Sequence, residues 1–282
     1  MVNVVRRFIS SGWSTTVVVT LFALVLLFPL YWMFMTSVLP SDVVLSRTPP
    51  LIPPLSKINF DAYVVVTARK PIFQWFANSA VVTASATVVS MFVSTLAGYS
   101  LSRFRTRGGL AMGYTLLLNR MLPGSLLVIP LYFMFAQARL INNPISLVIA
   151  NVTHIVPFAT WMMKGFFDSI PGELEESAMV DGCTRLQAMR KVILPLTLPG
   201  LAATGIYSAI LAWSEFLFAR TLMTDPARWT MTVGTVSFIG EHTVNWSSLM
   251  ASGVISVAPL LLVFLFLEPY LVSGMTSGSV KG

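Results

Sequence analysis

Stretches of about twenty predominantly apolar residues, the length needed to cross a bilayer as a helix, recur along the whole chain with shorter polar segments between them. Six stretches meet that test: Ser14 to Met35, Asn78 to Leu101, Leu110 to Phe135, Pro144 to Phe166, Leu198 to Phe218 and Leu249 to Val272. Hydrocarbon offers no partner for a free backbone amide, so each stretch is expected to be helical. The pattern predicts an all-α polytopic membrane protein with six transmembrane helices in a single transmembrane domain over residues 1–282. Arg6 and Arg7 precede the first stretch, which is longer than a signal-peptide core and lacks a following small-residue cleavage site. It is therefore expected to remain as the first helix.

Positive charge orients the spans. The tightest basic cluster, Arg103, Arg105 and Arg107, directly follows the second stretch and marks that loop as cytoplasmic. With six spans both termini then lie inside, together with the segment from Lys164 to Leu194 that carries Arg185, Arg190 and Lys191. Thr36 to Ala77, a turn near Asn142 and Asn143, and Arg220 to Ser248 fall outside, where Arg47, Lys57, Arg69, Lys70 and Arg228 are more dispersed.

One inside loop, about residues 169–195, is far longer than a turn and spells two short helices with explicit stops. Ser169 is expected to cap the first, with Pro171 in its opening turn and Glu173, Glu175 and Glu176 favouring the positive helix end. Gly182 should end it. Thr184 with Gln187 matches a capping box that opens the second helix, and Pro195 is expected to interrupt that helix. The result is a rigid elbow. Leu174, Ala178 and Asp181 fall on one side of its first helix, while Glu175 and Glu176 are left for basic partners. Such an elbow either docks another protein or merely caps the bundle.

Composition agrees with lipid as the solvent. Of 282 residues 55% are hydrophobic and 10% charged, against about 25% charged in soluble domains, and the mean hydropathy is +0.78. The net charge is +7, but the basic residues sit singly or in small groups between apolar blocks and not in a stripe with interleaved aromatics, which argues against a nucleic-acid surface. A single cysteine, Cys183, excludes an internal disulfide, and His154 and His242 lie in separate segments without metal-ligand spacing. His154 and the many methionines read as packing residues. No G-x-x-x-x-G-K-[ST] loop is present to hold a nucleotide, and no nucleophile, base and acid are grouped as an enzyme would need. Charges within spans are expensive and face a cavity or a partner, which singles out Arg120 and Glu215. Each is a candidate for lining a polar path through the bundle or, alternatively, for a structural bridge. Trp213 could stack on a ligand or serve as ordinary packing.

The run E-S-A-M-V-D-G from Glu176 to Gly182, followed by Ile193, Leu194 and Pro195, resembles the EAA loop of bacterial ABC importer permeases. Ser177 replaces the first alanine of that pattern, and Ile193 stands directly beside Leu194. The resemblance spans nearly the whole chain and is nearest to the carbohydrate-uptake permeases similar to the maltose importer's second membrane subunit. Asn78 with Ser79, the run A-G-Y-S-L-S-R-F from Ala97 to Phe104, Pro130 to Tyr132, Trp213 to Phe216 and the tail from Ser273 to Gly282 all match that family's pattern in order. Ser214 replaces its usual asparagine, and Leu39 and Ala62 replace a lysine and an asparagine of its first outer segment.

The resemblance implies a subunit of the bacterial inner membrane that carries a sugar or oligosaccharide inward. The partners it implies are a second, different permease, two copies of an ATP-binding subunit that hold ATP and Mg, an extracytoplasmic solute-binding protein and the lipid bilayer, and no nucleic acid. This chain itself would hold no cofactor. Glu176, Ser177, Ala178, Asp181, Gly182 and Cys183 would dock the ATPase, Pro195 would mark the hinge into the fifth span, and the tail from Thr276 to Lys281 would reach the ATPase dimer. Asn78, Arg120, Trp213 and Glu215 are the candidates for the translocation path. The same architecture also serves import of glycerol 3-phosphate, a glycerophosphodiester or a polyol. An ATP-independent secondary transporter would account for six spans and buried charge, but not for the elbow.

Overall fold

The computed structural model describes residues 12–104, 108–119, 123–240 and 244–277; Arg105, Arg107, Arg120, His242 and Lys281 lie outside them. All named elements are helical: α1 (Gly12–Ser37), α2 (Asp61–Arg69), α3 (Ile72–Arg103), α4 (Gly109–Asn119), α5 (Gly124–Gln137), α6 (Pro144–Asp168), α7 (Glu173–Val180), α8 (Arg185–Leu196), α9 (Leu198–Trp213), α10 (Leu217–Leu222), α11 (Met231–Val236) and α12 (Trp246–Ser277).

Among the described residues four helices are long and apolar enough to cross a membrane by themselves, namely α1 from Thr15, α3, α6 and α12 as far as Phe266. A fifth arises if α8 and α9, which meet at a 76° bend, are one broken span. The third of the six expected spans, Leu110 to Phe135, is not one helix. It is divided into α4 and α5, because Pro123 stands at the start of α5 with extended backbone and has no N–H to carry a helix through. The expected fifth span also stops early: α9 ends at Trp213, and Ser214 to Phe216 separate it from α10.

The chain divides into two compact units. The first comprises the described residues of Met1–Lys70 with Thr235–Ile255. Met35, Leu39 and Val43 form its small core, against which Trp32 and Val44 pack. Its polar ties are short: the Ser247 hydroxyl donates to Leu39 O at 2.7 Å, Asn59 N–H to Val38 O at 2.9 Å, and Ser37 and Tyr63 share a 2.8 Å hydroxyl contact.

The second unit, Pro71–Gly234 with Ser256–Gly282, is organised by the packing of α3 on α6. Small residues line this seam on α3, where Ala86, Ser90, Ser94 and Gly98 are all buried. Apolar lipid gives two apolar helices no reason to associate, so close backbone approach through small residues and the dispersion contacts it allows must hold them. Helix α6 starts where Pro144 follows Asn143, whose side chain accepts from Ile145 N–H at 3.0 Å. At the far end of the seam Tyr99, Met163, Phe167, Met189 and Ile193 make a second core beneath α7 and α8. At the opposite end Val82, Phe135, Leu147, Phe218, Leu222 and Val233 make another. Asn142, at φ +59°, turns the chain there, and its side chain accepts from the N–H groups of Thr224 and Asp225 at 2.8 and 2.9 Å.

Candidate functional site

The elbow between α6 and α9 consists of α7 and α8, and its joints have identifiable causes. Ser169 does not cap α7. It ends α6 instead, in helical backbone and with its hydroxyl donating to Phe166 O at 2.7 Å, and α7 opens on Gly172 with no side-chain cap. The three carboxylates Glu173, Glu175 and Glu176 in the first turn stand where the helix dipole favours negative charge.

Helix α7 stops at a Schellman turn, in which Cys183 N–H bonds Ala178 O at 3.0 Å and Gly182 N–H bonds Met179 O at 3.1 Å. The turn requires a left-handed residue, and Gly182 supplies it at φ +89°. Thr184 and Gln187 then form the expected capping box: Thr184 N–H donates to Gln187 Oε1 at 2.8 Å, and Gln187 N–H to Thr184 Oγ1 at 3.3 Å. The break expected at Pro195 falls at Thr197. Residues Met189 to Ile193 are wound as a wide π-turn, which gives the proline ring room within α8. Thr197 closes the helix, its hydroxyl donating to Leu194 O at 2.9 Å, and Pro199 lies in the first turn of α9.

Exposure sorts the residues expected to dock a partner. Glu176, Ser177, Asp181, Gly182 and Pro195 are exposed, and Cys183 is half-buried. Val180 between them is 87% exposed, an apolar tip rimmed by acidic side chains. Ala178 departs from expectation: at 9% exposure it lies on the inner face of α7 and belongs to the elbow's own packing.

Glu175 departs further. It was expected to await a basic partner, but it is 4% exposed and already held inside the chain, because α7 turns positions 175 and 178 to the same inner side. Tyr99 Oη donates to Glu175 Oε1 at 2.5 Å, Arg103 Nε lies 3.2 Å from Oε2, and Arg185 Nε lies 3.6 Å from Oε1. Arg103 also donates through Nη2 to Ile170 O at 2.9 Å, and the Arg185 guanidinium sits over the Phe104 ring at 5.0 Å. Tyr99 meets Phe167 edge to face at 5.6 Å. The end of α3, the first elbow helix and the second thus converge on one carboxylate. Sequence reading passed over this cluster although its parts were in view: Tyr99 and Arg103 both lie in A-G-Y-S-L-S-R-F, and Glu175 directly precedes E-S-A.

The candidates for the translocation path are engaged differently. Asn78 Nδ2 donates to Ala227 O at 3.0 Å and Trp229 O at 2.9 Å, bracing the loop after α10. Glu215 caps α10, with Oε1 accepting from Phe218 N–H at 2.6 Å and Oε2 from Ala219 N–H at 2.9 Å. Trp213 is 6% exposed, donates through Nε1 to Ser256 O at 3.0 Å and meets Phe76 edge to face at 5.4 Å. It also borders an apolar cavity of about 310 Å³ with Thr83, Thr87, Ala209 and Leu260. Arg120 lies outside the described residues.

Comparison with known proteins adds to this geometry. Residues 90–277 match the family described as the binding-protein-dependent transport system inner membrane component. The chain is 35% identical over 279 residues to the diacetylchitobiose uptake system permease protein of Streptomyces coelicolor, covering 98% of this chain and 99% of that one. It is 32% identical over 265 residues to the trehalose/maltose transport system permease protein of Thermococcus litoralis, covering 93% and 94%. Among solved structures, a bacterial ABC transporter involved in import of the acidic polysaccharide alginate superposes with a TM-score of 0.77 at 25% identity, covering 92% of this chain and 95% of that one.

Proposed function

The chain belongs to the binding-protein-dependent transport system inner membrane component family, and from that premise we propose that it is the permease subunit through which a bacterial ABC importer passes an oligosaccharide into the cytoplasm. The observation that carries the reading is the elbow, whose exposed rim of Glu176, Ser177, Val180, Asp181 and Gly182 stands on a helix closed by a Schellman turn and followed at once by the capping box of α8. A rigid lever with an apolar tip and an acidic rim suits a cleft on a partner protein, because preorganisation spares the ordering entropy on binding. In this reading the partner is an ATP-binding subunit present in two copies, which supplies the energy while this chain binds no nucleotide. The elbow and both termini then face the cytoplasm.

A second, different permease completes the pore, and an external solute-binding protein delivers the sugar. The names of the relatives, a diacetylchitobiose uptake permease and a trehalose/maltose permease, support a short oligosaccharide over a monosaccharide. A glycerol phosphate, a glycerophosphodiester or a polyol is the competing substrate class.

The test is ATP hydrolysis by the complex of this chain with its ATP-binding subunit and companion permease, reconstituted in lipid and challenged with binding proteins loaded with different sugars. Stimulation by one loaded protein is expected. Transport that continues without any associated ATPase would overturn the reading.

A further inference from the structure

We infer that Glu175 is a positioning residue that clasps the elbow to the end of α3, so that displacement of the elbow is delivered to that membrane helix instead of being absorbed in the residues between them. The inference rests on the proposed docking of an ATPase at the elbow and concerns what happens on the far side of that contact. Glu175 does not face the docking rim. It occupies the inner face of α7 at 4% exposure, where an isolated carboxylate would be costly. The cost is met by two other elements: α3, distant in sequence, through Tyr99 and Arg103, and the neighbouring α8 through Arg185 at its start.

Without the clasp, α3 would reach α7 only indirectly, through the apolar packing of Tyr99 with Met189 and Ile193 of α8 or through α6 and the Ile170 to Gly172 linker. With it, the path is one hydrogen bond of 2.5 Å and one ion pair of 3.2 Å. Arg103 strengthens the joint from the other side of the linker by donating to Ile170 O at 2.9 Å. Arg185 is tied to the same carboxylate at 3.6 Å and lies over Phe104, so α8 cannot pivot away from α7 without parting from the end of α3. Buried charged networks of this kind are worth most as devices that hold one geometry, since breaking a single partner leaves the others uncompensated.

The core under the clasp is apolar and continuous. Tyr99 packs on Phe167, and both belong to the cluster with Met163, Met189 and Ile193. Tyr99 is therefore held in place by its ring and used through its hydroxyl. This separates two variants: Tyr99→Phe keeps the packing and loses one bond, whereas Glu175→Gln keeps a hydrogen-bonding side chain and loses the charge that faces both arginines.

The experiment uses the full complex in lipid with wild type, Glu175→Gln and Tyr99→Phe, and reads three quantities: co-purified ATPase, ATP hydrolysed, and solute moved. ATPase association and hydrolysis should persist in both variants, while solute moved per ATP should fall by at least about fivefold in Glu175→Gln, the lower end of coupling between sites, and by less in Tyr99→Phe. Spin labels at Ser100 and at Glu173, which is exposed on α7 outside the docking rim, give the independent reading in a Cys183→Ser background first shown to retain ATPase association and hydrolysis. Their separation should stay single and constant through the ATP cycle in wild type and broaden in Glu175→Gln. An unchanged ratio of solute to ATP, or an unchanged label distance in Glu175→Gln, overturns the clasp. Loss of ATPase from Glu175→Gln alone also overturns it, because Glu175 would then serve only the elbow's fold. Absence of ATPase from the wild-type complex refutes the docking reading itself.

Discussion

Gly98 on α3 lies so close to Met163 on α6 that a Cβ placed on the glycine would stand 2.8 Å from the Cβ of the methionine, and within 3.0 Å of Lys164 N and Thr160 O. Two of those three neighbours are backbone atoms, which cannot rotate aside. Gly98→Ala should therefore push the helices apart where the seam joins the core under the elbow, at a cost of about 1–3 kcal/mol for overpacking. Gly98→Val should cost more. The measurement is thermal unfolding of the detergent-solubilised complex, and an unchanged melting temperature in Gly98→Ala would show that the seam is looser than this geometry.

At Gly182 the constraint is of another kind. No atom lies within 4 Å of a Cβ there, so space is free, but φ is +89° and a non-glycine residue strains to adopt it. Gly182→Asp should cost about 1–2 kcal/mol in that backbone region and loosen the Schellman turn. We expect the protein to reach the membrane while solute uptake fails and the ATPase no longer co-purifies. Gly182→Asn, a residue that tolerates left-handed backbone better, should retain more of both. Equal loss in the two variants would point to side-chain bulk at the docking rim and not to the turn.

How far the sequence could be read follows from the range of the interactions. The stop at Gly182 and the capping box at Thr184 were legible because each is decided within four residues. Ser169 was misread because a serine between two helices can end one or begin the other, and the tie was broken by its bond to Phe166 O. The division of the third span turned on Pro123, whose effect on helix continuity competes with the apolar run around it. The residues around Glu175 stood in recognisable motifs, but their pairing did not. The Glu175 partner Tyr99 is 76 positions away, and only the fold of α3 on α6 brings them together. The same holds for Asn78, read as a candidate for the solute path and found bonded to a loop 149 and 151 residues on.

Glu215 offers a test between pore and scaffold. Both carboxylate oxygens are committed to N–H groups at the start of α10, and its carbonyl accepts from Thr232 Oγ1 at 2.7 Å. Alanine there removes the acceptor for two helix-terminal donors, a loss of about 0.5–2 kcal/mol by analogy with other caps. The expectation for Glu215→Ala is a lower melting temperature and less assembled complex, with transport per assembled complex preserved. Glu215→Gln keeps one carbonyl acceptor and should recover part of the stability. A fully assembled Glu215→Ala complex that fails to transport would instead place the side chain on the solute path.

The loop after α10 is braced by Trp75, and Gly234 decides whether that brace fits. Trp75 Nε1 donates to Pro226 O at 2.9 Å, its ring lies 5.8 Å from that of Trp229, and its Cε3 would sit 2.0 Å from a Cβ on Gly234. Gly234→Ala must displace the indole, because 2.0 Å is far inside contact distance and a ring packed at 1% exposure has no free direction to swing. The displaced Trp75 loses its bond to Pro226 O, and the segment from Pro226 to Trp229 loses one of the ties that hold it against α3; the bonds from Asn78 to Ala227 O and Trp229 O remain. The variant should therefore fold but open this loop. Limited proteolysis after Arg228 should be faster in Gly234→Ala than in wild type, and Trp75→Phe, which fills most of the same space without the N–H, should fall between them. Cleavage at the wild-type rate in both would mean that the bonds from Asn78 and Asn142 hold the loop without Trp75.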